Sequence, residues 1–325
     1  MVGRMSDRVI FGAFMPQGWK MELASIEGAE AKWKAAVSIA QRAEELGYDS
    51  IWLYDHLHTV PAPVAETVFE CWTSMAALAR DTRTVRLGQM VTCNSYRPPA
   101  LLAKMASCID VLSHGRLMVG MGAGWYQHEY DAFGYEFGEM PDRLRRLAES
   151  LQVLKAMWTE ERTYFDGHYY QVRGAINEPK PIQRPHPPLW VGGNGERVTL
   201  KLVARYGDGC NVGGDLDTRR RLLDVLRRHC EAVGRDYDSI VKSTNVTVIL
   251  GDRAEVDRVV RMRRRQTGGT EYWERTPFCG QPEQVAAQVR PLVDAGFDYL
   301  IFGVPNAFEG GAIRRVAREL FPLLR

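Results

Sequence analysis

The sequence predicts an α/β chain folded as a (β/α)8 TIM barrel, a single domain over residues 1–325 with insertions after strands 4 and 7. Three observations carry that expectation. Apolar runs of strand length alternate eight times with amphipathic helical patterns; glycine and ionisable residues gather where those runs end; and no linker, repeat or low-complexity tract divides the chain. A doubly wound sheet has the same alternation, and the count of eight favours the barrel.

The elements follow in order. Residues 9–14 read as a buried strand, 32–46 as an amphipathic helix ended by Gly47, and 50–54 as the second strand. Residues 69–80 are helical and 85–91 form a strand; after Pro98-Pro99, a favoured helix start, 100–112 are helical and 116–121 make the fourth strand. Helix 143–158 completes the first half. The second half offers strands at 189–191, 209–212, 243–250 and 299–302, with helical patterns at 198–206, 219–233, 284–295 and 312–323. Two connections, 159–188 and roughly 251–280, exceed ordinary loop lengths and are candidate lids or oligomer contacts. Within the first, residues 163–173 alternate as a hairpin around Asp166-Gly167.

Composition excludes several function classes. A hydrophobic fraction of 45%, a charged fraction of 25% and a net charge of +2 give no general field for nucleic acid or a membrane surface. The arginine runs Arg219-Arg220-Arg221 with Arg227-Arg228, and Arg258 to Arg265, alternate with apolar residues at helical spacing and read as solvated helix faces. The second run also suits an anionic ligand. Six cysteines without metal-type spacing, no signal-peptide pattern and no apolar run of about 18 residues predict reduced thiols in a cytoplasmic protein starting near Met1 or Met5.

In a barrel, function sits where strands end at the C-terminal face. The exits here are Met15 to Trp19, Tyr54 to His58, Thr92 to Arg97, Gly120 to Tyr130, Gly192 to Glu196 and Asn211 to Gly214. Gly120 to Tyr130, glycines followed by Trp125, Tyr126, His128 and Glu129, reads as a ligand site or as a packed strand-to-helix turn. Gly192-Gly193-Asn194-Gly195 precedes a helix and so directs backbone N–H groups at one point, as phosphate binding requires. The plainer alternative is a helix N-terminus capped by Asn194. His56 and His58 form a His-x-His pair, but later strands supply no further ligands, so no metal is expected. Gly120-x-Gly122-x-Gly124 is not a dinucleotide fingerprint, and no GxSxG elbow is present.

Ser50 to His56, Phe69 to Thr73, Leu87 to Thr92, Ser113 to Leu117 with Gly124 to Tyr130, and Pro188 to Gly193 together resemble the bacterial luciferase-like superfamily. Within it they are similar to the coenzyme F420-dependent oxidoreductases of actinobacteria and methanogens. The resemblance implies that Asp55 and His56 face a deazaflavin ring backed by Met90, Val91 and Thr92, with a non-proline cis peptide at Met90-Val91. It implies that Gly192, Gly193 and Asn194 take the cofactor phosphate, and that His128 and Glu129 lie near the cofactor tail and ring edge. One position departs: the sugar-phosphate dehydrogenase branch has a glutamate after the strand 4 glycines, where this chain has Trp125.

The expected activity is hydride transfer between the deazaflavin C5 and a small organic substrate, by C=C, C=N or C=O reduction or the reverse oxidation. His56 is placed nearest the transferred proton, with Tyr54, His128 and Glu129 as further catalytic candidates and Trp19 and Trp125 as substrate contacts. The rivals are an FMN-dependent monooxygenase on the same fold and a non-catalytic flavin- or deazaflavin-binding protein. A homodimer is expected from the resemblance, with Tyr272-Trp273 and Trp158 as exposed apolar residues.

Overall fold

The computed structural model describes residues 8–267, 277–309 and 311–325. Eight parallel strands close on themselves: β1 (Ile10–Phe14), β2 (Ser50–Leu53), β3 (Arg86–Gln89), β4 (Leu117–Gly122), β5 (Leu189–Gly192), β6 (Gly209–Asn211), β7 (Val241–Leu250) and β8 (Tyr299–Gly303). Each pairs with the next, and Ile10 opposite Tyr299 joins β1 to β8. The predicted barrel is the observed one.

Aromatic residues fill its interior. Trp52, Trp190 and Tyr299 meet edge to face, with Trp52–Trp190 and Trp190–Tyr299 centroids both 5.1 Å apart, the geometry aromatic quadrupoles favour. Ser50 Oγ accepts from Trp52 Nε1 at 2.7 Å and from the Tyr299 hydroxyl at 2.5 Å, so both polar ends are satisfied inside. Room for the indoles comes from glycines on adjacent strands. A methyl group at Gly12 would lie 2.7 Å from Trp52 Nε1, one at Gly88 would overlap the Trp52 ring, and one at Gly209 would lie 2.6 Å from Trp190.

Outside the barrel, the helices bury their apolar faces on the strands. Leu147, Leu151, Leu154 and Trp158 recur on one face of helix Met140–Thr159. Trp158 is therefore buried, its Nε1 donating to the Ala103 carbonyl at 3.0 Å, and it offers no dimer surface. Tyr272 and Trp273 lie outside the described residues. Arg116 spends all five guanidinium donors on Ser113 O, Thr82 Oγ1, Val85 O, Ala79 O and Thr82 O, which fastens the turns entering β3 and β4.

The connections hold elements that periodicity did not separate. A short helix, Gln127–Phe133, follows β4 directly. The predicted hairpin pairs Thr163–Asp166 with Gln171–Ala175. After β7, helix Arg253–Gln266 carries the second arginine run, yet Arg263 turns inward and is buried, so that face is only partly solvated. The last helix is broken by a π turn at Val316–Leu320, next to Pro322, which has no N–H to continue the α pattern.

Gly88→Ala is expected to cost about 1–3 kcal/mol, because the barrel must shift to clear Trp52. Urea unfolding reads this as a lower midpoint at unchanged slope.

Candidate active site

A cleft of about 510 Å³ opens at the C-terminal ends of β2 to β7. Its floor is the Met90–Val91 segment, joined by a cis peptide as the resemblance implied. The glycines of β4 and β5 belong to this floor in a way the sequence did not show. A methyl at Gly120 would overlap the Gln89 carbonyl, one at Gly122 would overlap Val91, and one at Gly192 would lie 2.7 Å from Val91 Cγ1. These glycines make space for the bulge at the end of β3, and the resulting shape presents Val91 to the cleft.

His56, at the β2 exit, lines the cleft and is held on three sides. Trp19 stacks on its ring at 4.0 Å, while Trp125 and Tyr126 meet it edge-on at 5.6 and 6.0 Å. Behind it, Nδ1 lies 2.9 Å from Glu129 Oε2. Glu129 is fully buried and takes three more hydrogen bonds: from the Tyr96 hydroxyl at 2.6 Å, Leu57 N at 2.6 Å and His58 N at 2.9 Å. Burial pushes its carboxyl up, but the His56, Tyr96 and His58 donors outweigh burial and hold it below the ordinary glutamate value. A carboxylate at Nδ1 fixes the imidazole as the Nδ1–H tautomer and leaves Nε2 to exchange a proton. Among the described residues Nε2 has no partner.

Asp55 lies beside His56, and Arg97 holds it with two hydrogen bonds of 2.7 and 3.0 Å while Cys93 N donates at 2.9 Å. Arg97 also pairs with Glu70, whose carboxylate caps helix Cys71–Asp81 through Trp72 N and Thr73 N. Burial works against the Arg97 charge, yet Asp55 and Glu70 raise its pKa above the arginine value; burial likewise raises Asp55 against the pull of Arg97. This group positions the β2 exit.

At the far end, Gly193 adopts φ +127°, open to glycine, and the Asn194 amide clamps Gly213, accepting from its N–H at 2.9 Å and donating to its carbonyl at 3.1 Å. The side chain of Asn194 is thus committed to the next loop and caps no helix. The N–H groups of Asn194, Gly195 and Glu196 have no acceptor among the described residues. Three free donors in one turn before helix Thr199–Tyr206 suit an anionic cofactor tail.

The structure gathers most of the predicted site. Trp19, Tyr54, Asp55, His56, Met90, Val91, Trp125, Gly192, Gly193 and Asn194 all line the cleft. Tyr54 stacks on Phe14 at 4.4 Å and its hydroxyl accepts from Lys20 Nζ at 2.9 Å. Three others stand elsewhere. Thr92 is buried and accepts from Trp72 Nε1 at 3.1 Å; His128 is exposed at the rim, 3.0 Å from His58 Nδ1; Glu129 acts from behind His56. Asn245, Thr199, Met140 and Leu144 also face the cleft and were not anticipated. Asn245 carried no signal of its own, since Lys242, Ser243 and Thr244 precede it in the same strand.

The luciferase-like monooxygenase family profile matches residues 11–268. The chain belongs to that family. This luciferase-like chain is 29% identical over 317 residues to an F420-dependent glucose-6-phosphate dehydrogenase of Kineococcus radiotolerans, covering 88% of this chain and 91% of the relative. It superposes on an F420-dependent secondary alcohol dehydrogenase in complex with an F420-acetone adduct with a TM-score of 0.81 at 19% identity, covering 98% and 99% of the two chains. Monooxygenase RslO1 from Streptomyces bottropensis gives 0.79 at 22% identity, covering 96% and 99%. Both likenesses establish the shared fold.

In the luciferase-like chain, Glu129 has a lowered folded pKa. Its contribution to stability is complete above the unfolded value of about 4.3 and is lost as pH falls through the folded value. Glu129→Gln is expected to be less stable at neutral pH by about 1–3 kcal/mol. Urea melts taken from neutral pH into the acid range should show that gap narrowing; a constant gap would mean that the charge is not what matters.

Proposed function

We propose that this protein is an F420-dependent oxidoreductase that moves a hydride between the deazaflavin C5 and a small organic substrate. The observation that carries the reading is the His56–Glu129 pair, set in a cleft that ends in the glycine turn, where three N–H donors have no acceptor among the described residues. The relative from Kineococcus, named for F420, supports it. Gly192, Gly193 and Asn194 would hold the cofactor phosphate, Met90 and Val91 would back the ring, and Asp55 would lie beside it. When bound, the deazaflavin supplies two-electron chemistry without a flavin-type oxygen adduct, so dehydrogenation or reduction fits better than oxygenation.

The chain's own groups then handle the proton. Glu129 keeps His56 oriented, and Nε2 gives a proton to, or takes one from, the substrate atom in front of it. Trp19 and Trp125 enclose the imidazole and limit water around it. By the resemblance, half-exposed Trp125 stands where the sugar-phosphate branch carries its acid, so glucose 6-phosphate is not proposed as the substrate. We also propose a homodimer through helix Pro99–Leu112, whose outer face leaves Leu101 and Leu112 exposed. A cytoplasmic location agrees with six free cysteines.

Purified protein titrated separately with F420 and FMN should bind F420 at micromolar concentration and FMN far more weakly; FMN binding without F420 binding would assign the cleft to a flavin. His56→Ala should keep F420 affinity within a few-fold and lose about 10²- to 10⁴-fold in turnover. Tight F420 binding with no turnover over enones, imines and ketones would indicate a carrier. In sedimentation equilibrium the parent should be a dimer and Leu101→Glu/Leu112→Glu a monomer; identical masses would remove that helix from the interface.

A further inference from the structure

Tyr96 reaches Glu129 from the loop beyond β3. Its hydroxyl donates to Glu129 Oε2 at 2.6 Å, the same oxygen that lies 2.9 Å from His56 Nδ1. The other oxygen, Oε1, accepts from Leu57 N at 2.6 Å and His58 N at 2.9 Å. A phenol and an imidazole thus share one carboxylate oxygen, and the phenol makes the shorter bond. A hydroxyl that draws charge from a carboxylate oxygen leaves less of it for a second donor.

The Tyr96 ring is fixed independently of that hydroxyl. It is buried, stacks on Tyr135 at 5.1 Å and meets Tyr130 edge-on at 5.2 Å. Burial first, then Cys93 and Glu129, push the hydroxyl far above the ordinary tyrosine value, so it remains a donor across the neutral range. Its bond to Glu129 is therefore in place whether or not His56 carries a second proton.

The other ionisable groups around the imidazole each have a contact of their own. Asp55 is held by Arg97 at 2.7 and 3.0 Å, His58 Nδ1 faces His128 Nε2 at 3.0 Å, and the Tyr126 hydroxyl donates to the Thr59 carbonyl at 3.2 Å. Cys93 Sγ lies 3.0 Å from the Tyr130 hydroxyl. Lys20 Nζ donates to the Tyr54 hydroxyl at 2.9 Å and lies 4.8 Å from the ring of Trp19, which stacks on His56. Among the described residues Glu129 is the one hydrogen-bond partner of the His56 ring.

We propose that Tyr96 is a positioning residue that weakens the Glu129–His56 hydrogen bond and thereby sets the pH at which His56 takes up a proton. The use made of that proton rests on the oxidoreductase reading; the effect of Tyr96 on the ring does not. Without the hydroxyl, Oε2 would serve His56 alone and would stabilise the protonated imidazole more strongly. The phenol thus keeps His56 from holding its proton too firmly for exchange near neutral pH.

NMR of the full chain without cofactor, labelled with [13C]histidine, follows the His56 ring, whose signal is the one lost in His56→Ala. Tyr96→Phe keeps both ring contacts and should move the His56 titration midpoint upward by about 0.3–1 pH unit, a roughly two- to tenfold gain in proton affinity. Tyr130→Phe removes a hydroxyl of the same cluster that bonds Cys93 and the Ala123 carbonyl instead of Glu129, and it should leave the midpoint in place. In a Glu129→Gln background the effect of Tyr96→Phe should vanish, because the charge the two donors share is gone. An unchanged or lower midpoint in Tyr96→Phe, an equal rise in Tyr130→Phe, or a rise that persists in Glu129→Gln each overturns the proposal. If the midpoint rises as expected but F420 does not bind, the role of Tyr96 stands and the cofactor reading alone fails.

Discussion

The buried carboxylate of Glu129 is the constraint on which the site depends. Its four donors come from two other strand exits, His56, Leu57 and His58 after β2 and Tyr96 beyond β3, while Glu129 itself lies on the helix that follows β4. A charge with no water around it needs several donors to remain ionised, and those donors can meet only if three loops take one arrangement. The imidazole is therefore oriented by tertiary structure, not by its own loop. Trp19, Trp125 and Tyr126 add contact on its remaining sides without competing for its nitrogens.

A second network does for the backbone what Glu129 does for the ring. Arg97 ties Asp55 to Glu70, and Glu70 caps a helix, so the β2 exit is fixed at its base as well as at its tip. Between these supports, Val91 is pushed into the cleft by a bulge that only glycines at 120, 122 and 192 accommodate. The floor, the proton-handling wall and the donor-rich turn are thus parts of one packing solution across β3, β4 and β5. Loops at the rim stay free to vary, which is how one barrel serves many substrates.

Much of this was legible in the sequence because barrel strands announce themselves by apolar runs of fixed length and their exits by abrupt polarity. His56, Tyr54 and the Gly192 turn were found that way, and the cis Met90–Val91 bond through resemblance. What escaped depends on direction in three dimensions. Thr92 follows a bulge that turns its side chain toward Trp72, and alternation cannot see a bulge. Arg263 donates to the Lys20 carbonyl across 243 residues, a contact between a loop and a helix that no local pattern reveals. The β4 glycines suggested room for a ligand; Gly122 and Gly124 do line the cleft, but Gly120 and Gly122 also make room for Val91, which spacing could not show. Trp158 could have been placed correctly, since Leu147, Leu151 and Leu154 share its helical face.

The indole–glycine fits inside the barrel also bear on how such a chain can change over generations. Trp52 fills space left by Gly12 and Gly88, and Trp190 fills space left by Gly209. Replacing an indole alone opens a void; replacing a glycine alone creates a clash. Viable change at these positions must therefore come in pairs, with the second substitution tolerated only on the background of the first. The barrel interior would drift slowly and in correlated steps, while the rim, free of such reciprocal fits, could diverge one residue at a time.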